Sequence, residues 1–272
     1  MTQRFPNWRA TARYYLLALA ERVPLNHAVW RASEAAVLAN VPMRRPILDI
    51  GCGDGLFARL LFRDKVEMGV DLSISQLTQA RSSGAYEQVK IADATDLPFP
   101  DRSFETVFSN CVLEHIPDVD GVCREAYRVL RPGGVFVFTV PTHRFADFLF
   151  YPALAQALGV AFLGRWYVRA LNRVFRHYHT DSPERWRCRL AEAGFQVEAI
   201  WQVMPRALTS AWDLLMPFAS LQLVARRLVP GWPYPMQRLM LRTVSRALAD
   251  LMRPEDCRPG ANMVIVARKP GH

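Results

Sequence analysis

Three glycines at alternate positions stand out in the stretch ILDIGCGDGLF, residues 47–57. Glycine reaches positive φ and lets another group approach the backbone closely, at an entropic cost to folding. The apolar residues Ile47, Leu48 and Ile50 predict a buried strand, and residues 56–62 predict a helix. A strand, a glycine-rich turn and a helix in this order are typical of a nucleotide-type site at the carboxyl end of a strand. A tight turn without a ligand is the alternative.

Two aspartates further along the chain could complete such a site. Asp71 ends a second predicted strand, residues 66–70, twenty positions after Gly51. An acidic residue at about that distance holds ribose hydroxyls in dinucleotide-binding folds. Asp93 ends a third predicted strand, residues 88–92. Local roles are the alternatives, a helix cap for Asp71 and a turn for Asp93.

The spacing of the glycines distinguishes two nucleotide-binding classes. The fingerprint G-x-G-x-x-G of NAD and FAD proteins requires glycine at position 56, where this chain has Leu56. The chain instead has G-x-G-x-G preceded by Asp49. This pattern resembles the first motif, D-x-G-x-G-x-G, of class I S-adenosylmethionine-dependent methyltransferases.

The stretch IADATDLPFPDRSFETVFSNCVLEHIPDVDGVCREAYRVLRPGGVFVFTVPT, residues 91–142, extends the resemblance. It is similar to the methyltransferase type 11 group, which includes the ubiquinone and menaquinone C-methyltransferases. The resemblance covers about residues 45–141 and resumes weakly at HTDSPERWRCRLAEAGF, residues 179–195. Glu105 stands where the pattern usually has aspartate.

The resemblance implies a fold, a cofactor and a set of contacts. The fold is α/β, a doubly wound, mostly parallel, seven-stranded Rossmann-like sheet, and the cofactor is S-adenosyl-L-methionine. No metal is implied. The implied cofactor-binding residues are Asp49, Gly51, Cys52, Gly53, Gly55, Asp71, Leu72, Asp93, Ala94 and Asn110.

A base is required only when the methyl acceptor is a hydroxyl or an acidic carbon, and histidine suits that role near neutral pH. His115 follows the fourth predicted strand, residues 105–110, and His143 follows the fifth, residues 135–140. Tyr178 lies in the cluster RHYHT, residues 176–180. All three are candidate catalytic residues, and each could instead cap or hydrogen-bond a loop.

The remaining pattern predicts the elements that position these residues. Helices are predicted over residues 8–40 with a break at Pro24, over 118–130 with a stop at Pro132-Gly133-Gly134, and over 183–193. Alternating strands and helices indicate a parallel sheet covered on both faces. The predicted organisation is an N-terminal helical segment at 1–44, a methyltransferase domain at 45–141, 181–201 and 261–270, and helical cap insertions at 142–180 and 202–260.

The net positive charge of the chain lies entirely in its second half. Residues 1–143 carry 16 basic and 16 acidic side chains, whereas residues 144–272 carry 18 and 9. Residues 236–252 predict an amphipathic helix in which an apolar stripe adjoins an arginine stripe, which suits an anionic membrane surface. The stripes are Met236, Met240, Val244 and Leu248, and Arg238, Arg242 and Arg246. A cap helix with a solvated basic face is the alternative.

These observations predict methyl transfer to a small, lipophilic acceptor that is quinone-like, lipid-like or a secondary metabolite. An RNA methyltransferase is the first alternative, but no aromatic-plus-basic RNA-binding module is visible and SNCVLEH replaces an N-P-P-F/Y sequence. A non-catalytic binding protein on the same fold is the second. The five scattered cysteines, with no C-x-x-C pair, predict reduced thiols, no metal site and a cytoplasmic protein, with membrane association left open.

Overall fold

The computed structural model describes residues 5, 7–221, 241, 245–252 and 259–271. The chain divides into two compact units, each made of three segments. The first unit contains Met1–Asn40, His143–Phe175 and Gln202–Asn262, and the second contains Val41–Thr142, Arg176–Trp201 and Met263–His272.

The second unit contains most of a seven-stranded sheet, which confirms the predicted doubly wound α/β fold. The strands are β1 (Ile47–Ile50), β2 (Val66–Asp71), β3 (Tyr86–Ile91), β4 (Phe104–Asn110), β5 (Leu130–Pro141), β6 (Gln196–Val203) and β7 (Asn262–Arg268). Their order is β3-β2-β1-β4-β5-β7-β6, and β1 pairs in parallel with both β2 and β4. Strand order therefore reverses between β1 and β4, where doubly wound sheets bind ligands at the carboxyl ends of their strands.

The helices of the second unit are α3 (Leu56–Leu61), α4 (Ile74–Ser83), α5 (Val119–Val129) and α8 (Pro183–Glu192). The core of this unit is apolar and largely aromatic. Trp186, on α8, is fully buried against Phe138 of β5, with ring centroids 5.0 Å apart. Burying such large side chains stabilises the sheet by about 2–3 kcal/mol each, which fixes the ends of its strands.

The start of β5 differs from the sequence prediction. The helix was predicted to reach Leu130 and the strand to begin near residue 135, but α5 ends at Val129 and β5 begins at Leu130. The register between β4 and β5 shifts at this point, because Phe104 pairs with Leu130 whereas Thr106 pairs with Val135. The prolyl and glycyl residues 132–134 therefore lie in an irregular part of β5 rather than in a separate turn.

In the residues that the structure describes, the regular elements of the first unit are helices, apart from the ends of β6 and β7. Its helices are α1 (Trp8–Ala20), α2 (Leu25–Leu38), α6 (Phe150–Ala157), α7 (Ala161–Phe175) and α9 (Arg206–Leu214), and residues 216–221 and 245–251 are also helical. Pro24 immediately precedes α2, as the break predicted there requires. The N-terminal helices and both insertions, which were predicted as separate segments, fall in this one unit.

A buried carboxylate connects distant parts of the first unit. Glu34, on α2, is fully buried and accepts hydrogen bonds from the indole N–H of Trp30 at 3.1 Å and from the side-chain amide of Asn262. Arg31 lies 3.6 Å from its other oxygen. Buried charges need such partners, so this cluster fixes how the third segment of the unit joins the first.

The helix predicted over residues 236–252 falls mostly outside the described residues. Met236, Arg238, Met240, Arg242 and Val244 are among those left out, whereas Arg246 is exposed and Leu248 is half-buried. Across the described part of the chain, no helix has both the length and the apolar character that crossing a bilayer requires.

The described cysteines Cys52, Cys111, Cys123 and Cys188 carry free thiols, and Cys257 lies outside the described residues. Within the described ranges, no three His, Cys, Asp or Glu side chains are grouped as metal ligands would be.

Candidate active site

The glycine-rich turn between β1 and α3 has three left-handed glycines with different surroundings. A Cβ added at Gly51 would lie 2.4 Å from Val112 Cγ2, and one added at Gly55 would lie 2.5 Å from Ser83 Oγ. Gly53 has φ of 53°, and an added Cβ there would meet no protein atom within 4 Å. Gly51 and Gly55 are therefore required by packing, whereas Gly53 leaves open space beside the backbone, where a ligand can approach.

Asp71 holds this turn from the end of β2. Its Oδ2 accepts a hydrogen bond from the Gly53 N–H at 3.0 Å, and its Oδ1 accepts one from the Ser73 N–H at 2.8 Å. The N-cap of α4 is Ser73, whose hydroxyl accepts from the Gln76 N–H. Asp71 is therefore not that helix's cap. Each carboxylate oxygen can accept a further hydrogen bond, so Asp71 remains able to bind hydroxyl groups.

Asp93 forms a hydrogen-bonded turn just after the end of the third strand. Its Oδ1 accepts hydrogen bonds from the Thr95 N–H at 2.8 Å and the Thr95 hydroxyl at 2.7 Å. These bonds, the backbone one first, lower the pKa of Asp93. The side chain is therefore a carboxylate at neutral pH, with its Oδ2 available as an acceptor.

A cavity of about 460 Å³ lies at the carboxyl ends of β1, β2 and β3. This volume falls within the range of small-molecule sites. Six of the predicted site residues line it, namely Gly51, Asp71, Leu72, Asp93, Ala94 and His115. The side chain of Leu72 is 66% exposed, so an apolar surface is available there for a bound ring system to cover.

The other predicted cofactor residues do not line the cavity. Asp49 is buried and accepts a 2.6 Å hydrogen bond from the Tyr86 hydroxyl, and Asn110 donates to Thr139 Oγ1 at 2.6 Å. Burial raises the pKa of the Cys52 thiol, which is therefore protonated. Gly53 and Gly55 also lie outside the lining of this cavity.

His115 ends a short 3-10 turn, Leu113–His115, that follows β4. Its Nδ1 lies 3.4 Å from the carbonyl oxygen of Arg176, and its Nε2 lies 3.8 Å from Glu114 Oε1. The ring stacks on His177, with centroids 5.5 Å apart. Burial, and then the charge of His115, lowers the pKa of His177 to about 4, so His177 is neutral at pH 7.

The two remaining catalytic candidates lie elsewhere. His143 is exposed and belongs to the first unit. Tyr178 is 59% exposed and is absent from the cavity lining, although its backbone N–H donates to the Glu114 carbonyl at 2.8 Å. Of the three candidates, the structure places only His115 at the cavity.

Several lining residues were missed by the sequence prediction, namely Ile50, Val70, Ala92, Thr95, Val112, Ile116, Pro117 and Asp118. Thr95 could have been found, because a threonine two positions after an aspartate is typical of a hydrogen-bonded turn. His177 was noted within the RHYHT cluster, but no local pattern indicates that it stacks on a ring 62 positions earlier.

Comparison with protein families finds a methyltransferase domain at residues 48–138. This range includes the glycine-rich turn, both aspartates and His115.

Curated relatives match only part of the chain. A malonyl-[acyl-carrier protein] O-methyltransferase of Enterobacter lignolyticus is 36% identical over 130 residues, which is 47% of this chain and 50% of that protein. A 27-O-demethylrifamycin SV methyltransferase of Amycolatopsis mediterranei is 36% identical over 117 residues, 40% of each chain. The chain thus spans half or less of the length of these relatives.

Solved structures match over a greater length. A SAM-dependent methyltransferase from Thermotoga maritima superposes with a TM-score of 0.59 and 21% identity, covering 90% of this chain and 91% of its own. A geranyl diphosphate methyltransferase gives a TM-score of 0.54 and 16% identity, with 90% of each chain covered. At these identities the likeness shows the fold alone.

Proposed function

We propose that this chain, which contains a methyltransferase domain at residues 48–138, is a class I S-adenosylmethionine-dependent methyltransferase that transfers a methyl group to a small, lipophilic acceptor. One observation carries the proposal. A single cavity at the carboxyl ends of β1, β2 and β3 brings together Asp71, Asp93, Leu72 and His115. A nucleoside cofactor beside a reacting group requires hydrogen-bond acceptors for its hydroxyl and amine groups, an apolar surface and a titratable side chain. The two aspartates, the exposed leucine and the histidine ring provide these.

The residues present fit the cofactor. The open space beside Gly53 would admit the amino-acid end of the cofactor to the backbone, and a side chain at that position would occupy this space. Asp71 would accept from the ribose hydroxyls, since its carboxylate lies at the end of β2 in the cavity lining. Leu72 and Ala94 would pack against the adenine, and Asp93 would accept from its amino group.

Bound at this site, the cofactor supplies a methyl group on a sulfonium, which needs no further activation. The protein's contribution is to hold the acceptor in line with that group, and positioning of this kind supplies much of the rate. An acceptor hydroxyl must also lose its proton, and His115 is the proposed base. His115 is chosen because, of the three candidates, it is the one that lines the cavity.

The proposed acceptor is an oxygen nucleophile on an apolar molecule. Both curated relatives described above carry names that specify oxygen methylation. The first unit is rich in aromatic side chains. Trp212, for example, contacts Trp30, Phe145 and Phe175, with ring centroids 5.3, 5.8 and 6.2 Å away. We assign acceptor recognition to this unit and cofactor binding to the second.

Calorimetric titration tests cofactor binding, with Gly53→Ala as the variant and Gly84→Ala as its matched control. Both glycines have positive φ, 53° and 72°, and an added Cβ at either meets no protein atom within 4 Å. Both variants should therefore lose about 1 kcal/mol of folding stability through backbone strain. Only Gly53→Ala should also lose affinity for S-adenosylmethionine, because only Gly53 adjoins the proposed ligand position.

The wild type should bind S-adenosylmethionine or its demethylated product with a micromolar dissociation constant, about −8 kcal/mol. Tighter binding of NAD, or equal affinity in the two glycine variants, would contradict the proposal. Binding without transfer to any of a panel of phenols, quinols and acyl carboxylates would favour the non-catalytic alternative. Transfer to RNA in place of these small molecules would favour the nucleic-acid alternative.

A further inference from the structure

Helices α6 and α7 form a hairpin within the first unit. The first helix ends at Ala157. Gly159, in the turn that follows, has φ of 76°, and the Val160 N–H donates back to the Ala155 carbonyl at 2.9 Å. A Cβ added at Gly164 would lie 3.0 Å from Pro152 Cα, so the two helices approach each other closely there. The hairpin is therefore a packed element with a defined tip at residues 158–162.

The tip of this hairpin exposes large apolar side chains. Phe162 and Trp166 are 61% and 66% exposed, and Leu158 is 68% exposed. Leu154 and Leu163, on either side of the tip, are 43% and 48% exposed. Soluble surfaces carry single exposed apolar residues, but an adjacent group of this kind marks an interaction surface.

Arginines flank the apolar group on the same helix. At 100° per residue, Arg169 and Arg173 fall within 20° of Phe162 around the α7 axis, and Arg165 lies 60° away. All three are exposed. The buried residues of α7, Gly164 and Leu171, lie 160° and 180° from Phe162, on the opposite side of the helix. Residues 148–180 contain four arginines and no aspartate or glutamate, so the whole hairpin is cationic.

We propose that this hairpin tip docks on an anionic membrane surface. Phe162 and Trp166 enter the boundary between headgroups and acyl chains, while Arg165, Arg169 and Arg173 bind lipid phosphates at the headgroup level. Tryptophan at the interface and arginine beside an apolar face are the features of a helix that lies on a bilayer. A protein partner would be expected to offer acidic residues in a fixed arrangement, whereas a lipid surface needs only negative charge and an apolar interior.

Docking of the hairpin tip does not depend on methyl transfer, and it does not involve residues 236–252. Docking requires neither the cofactor nor His115, so its failure and the failure of the proposed reaction are separate results. Cofactor titration of every variant below keeps the two apart.

Vesicle flotation with the full chain is the main test. The probes are phosphatidylcholine vesicles, with and without about 30 per cent phosphatidylglycerol, at low and high salt. The wild type should bind only the anionic vesicles, and less at high salt. Changing Arg165, Arg169 and Arg173 together to Gln should weaken binding by about a hundredfold at low salt. The matched control changes three exposed arginines outside the hairpin, Arg81, Arg185 and Arg187, and should bind nearly as the wild type does.

The apolar contribution is tested with Trp166→Ser against Tyr14→Ser, two exposed aromatic side chains at 66% and 60%. Trp166→Ser should weaken binding by about tenfold, and Tyr14→Ser should leave it unchanged. In the wild type, vesicles should shift the tryptophan emission to shorter wavelength, and Trp166→Phe should remove most of that shift while retaining binding.

Three results would overturn the proposal. Failure of the wild-type protein to bind anionic vesicles would exclude docking. An equal loss of vesicle binding in the two variants with three arginines replaced would show a non-specific charge effect. A wild-type dimer that Trp166→Ser converts to a monomer, without any vesicle binding, assigns the surface to a second copy of the chain.

Discussion

Replacing Asp71 should distinguish its role in holding the glycine-rich turn from its proposed role in binding the cofactor. The carboxylate accepts one backbone hydrogen bond on each oxygen, from Gly53 at 3.0 Å and from Ser73 at 2.8 Å. We expect each oxygen to accept one further bond from a ribose hydroxyl. Charge-assisted bonds of this kind contribute about 1.5–3 kcal/mol each.

Asp71→Ala removes both acceptors and should weaken S-adenosylmethionine binding by about a hundredfold or more. Asp71→Asn keeps one acceptor oxygen but loses the charge, and should weaken it by about tenfold. Asp64→Asn is the matched control. It removes the same charge from an exposed side chain just before the opposite end of β2, and should leave affinity unchanged.

A ligand variant distinguishes a lost contact from a distorted turn. In calorimetry, a 2′-deoxyribose analogue of S-adenosylhomocysteine should bind the wild type more weakly than the parent compound does. With Asp71→Ala the two ligands should bind almost equally, because the partner of the missing hydroxyl is already gone. Full affinity in a folded Asp71→Ala, or the same discrimination between ligands as in the wild type, would refute the assignment.

Two further predictions concern the histidine pair. His115→Asn should lower kcat for a hydroxyl acceptor by about a hundredfold with little change in cofactor affinity. It should also remove the fall in kcat at acidic pH from the pH profile of kcat. An equal loss of cofactor affinity would instead make the residue structural. The pKa of His177 is lowered to about 4 from 6.5, so the unfolded chain binds more protons between those values and the free energy of unfolding falls as pH drops through that window. Urea unfolding at pH 5 and pH 7 should show that the free energy of unfolding changes by about 1 kcal/mol less in His177→Asn than in the wild type. The effect is modest because the ring is only partly buried. An unchanged pH dependence in the variant would contradict this origin.

Six of the residues that line the cavity could be predicted because their signals in the sequence are local. The glycine spacing, and aspartates at the ends of successive strands, follow from β-strand and turn chemistry within about 50 residues of chain. The structure then distinguishes roles that the sequence left open. Ser73 caps α4 in place of Asp71, and Asp93 forms its turn while also lining the cavity.

The parts that were missed depend on distant contacts or on irregular backbone. Nothing near Glu34 indicates that Asn262 donates to it from 228 positions away, so the union of the N-terminal helices with the insertions was not predicted. The early start of β5 was missed because Pro132 and Gly133 ordinarily end elements, and only pairing with β4 shows that the strand continues through an irregular register. His115 and His177 are likewise brought together by tertiary packing.

The alternation of the two units along the chain has a consequence for how such a protein can be re-engineered. Each unit consists of three segments, so the polypeptide passes from one unit to the other five times. No single recombination point in the gene therefore exchanges one unit for another. A chimera that exchanges the first unit must transplant residues 1–40, 143–175 and 202–262 as a set, because the carboxylate of Glu34 in the first piece meets its amide partner, Asn262, in the third.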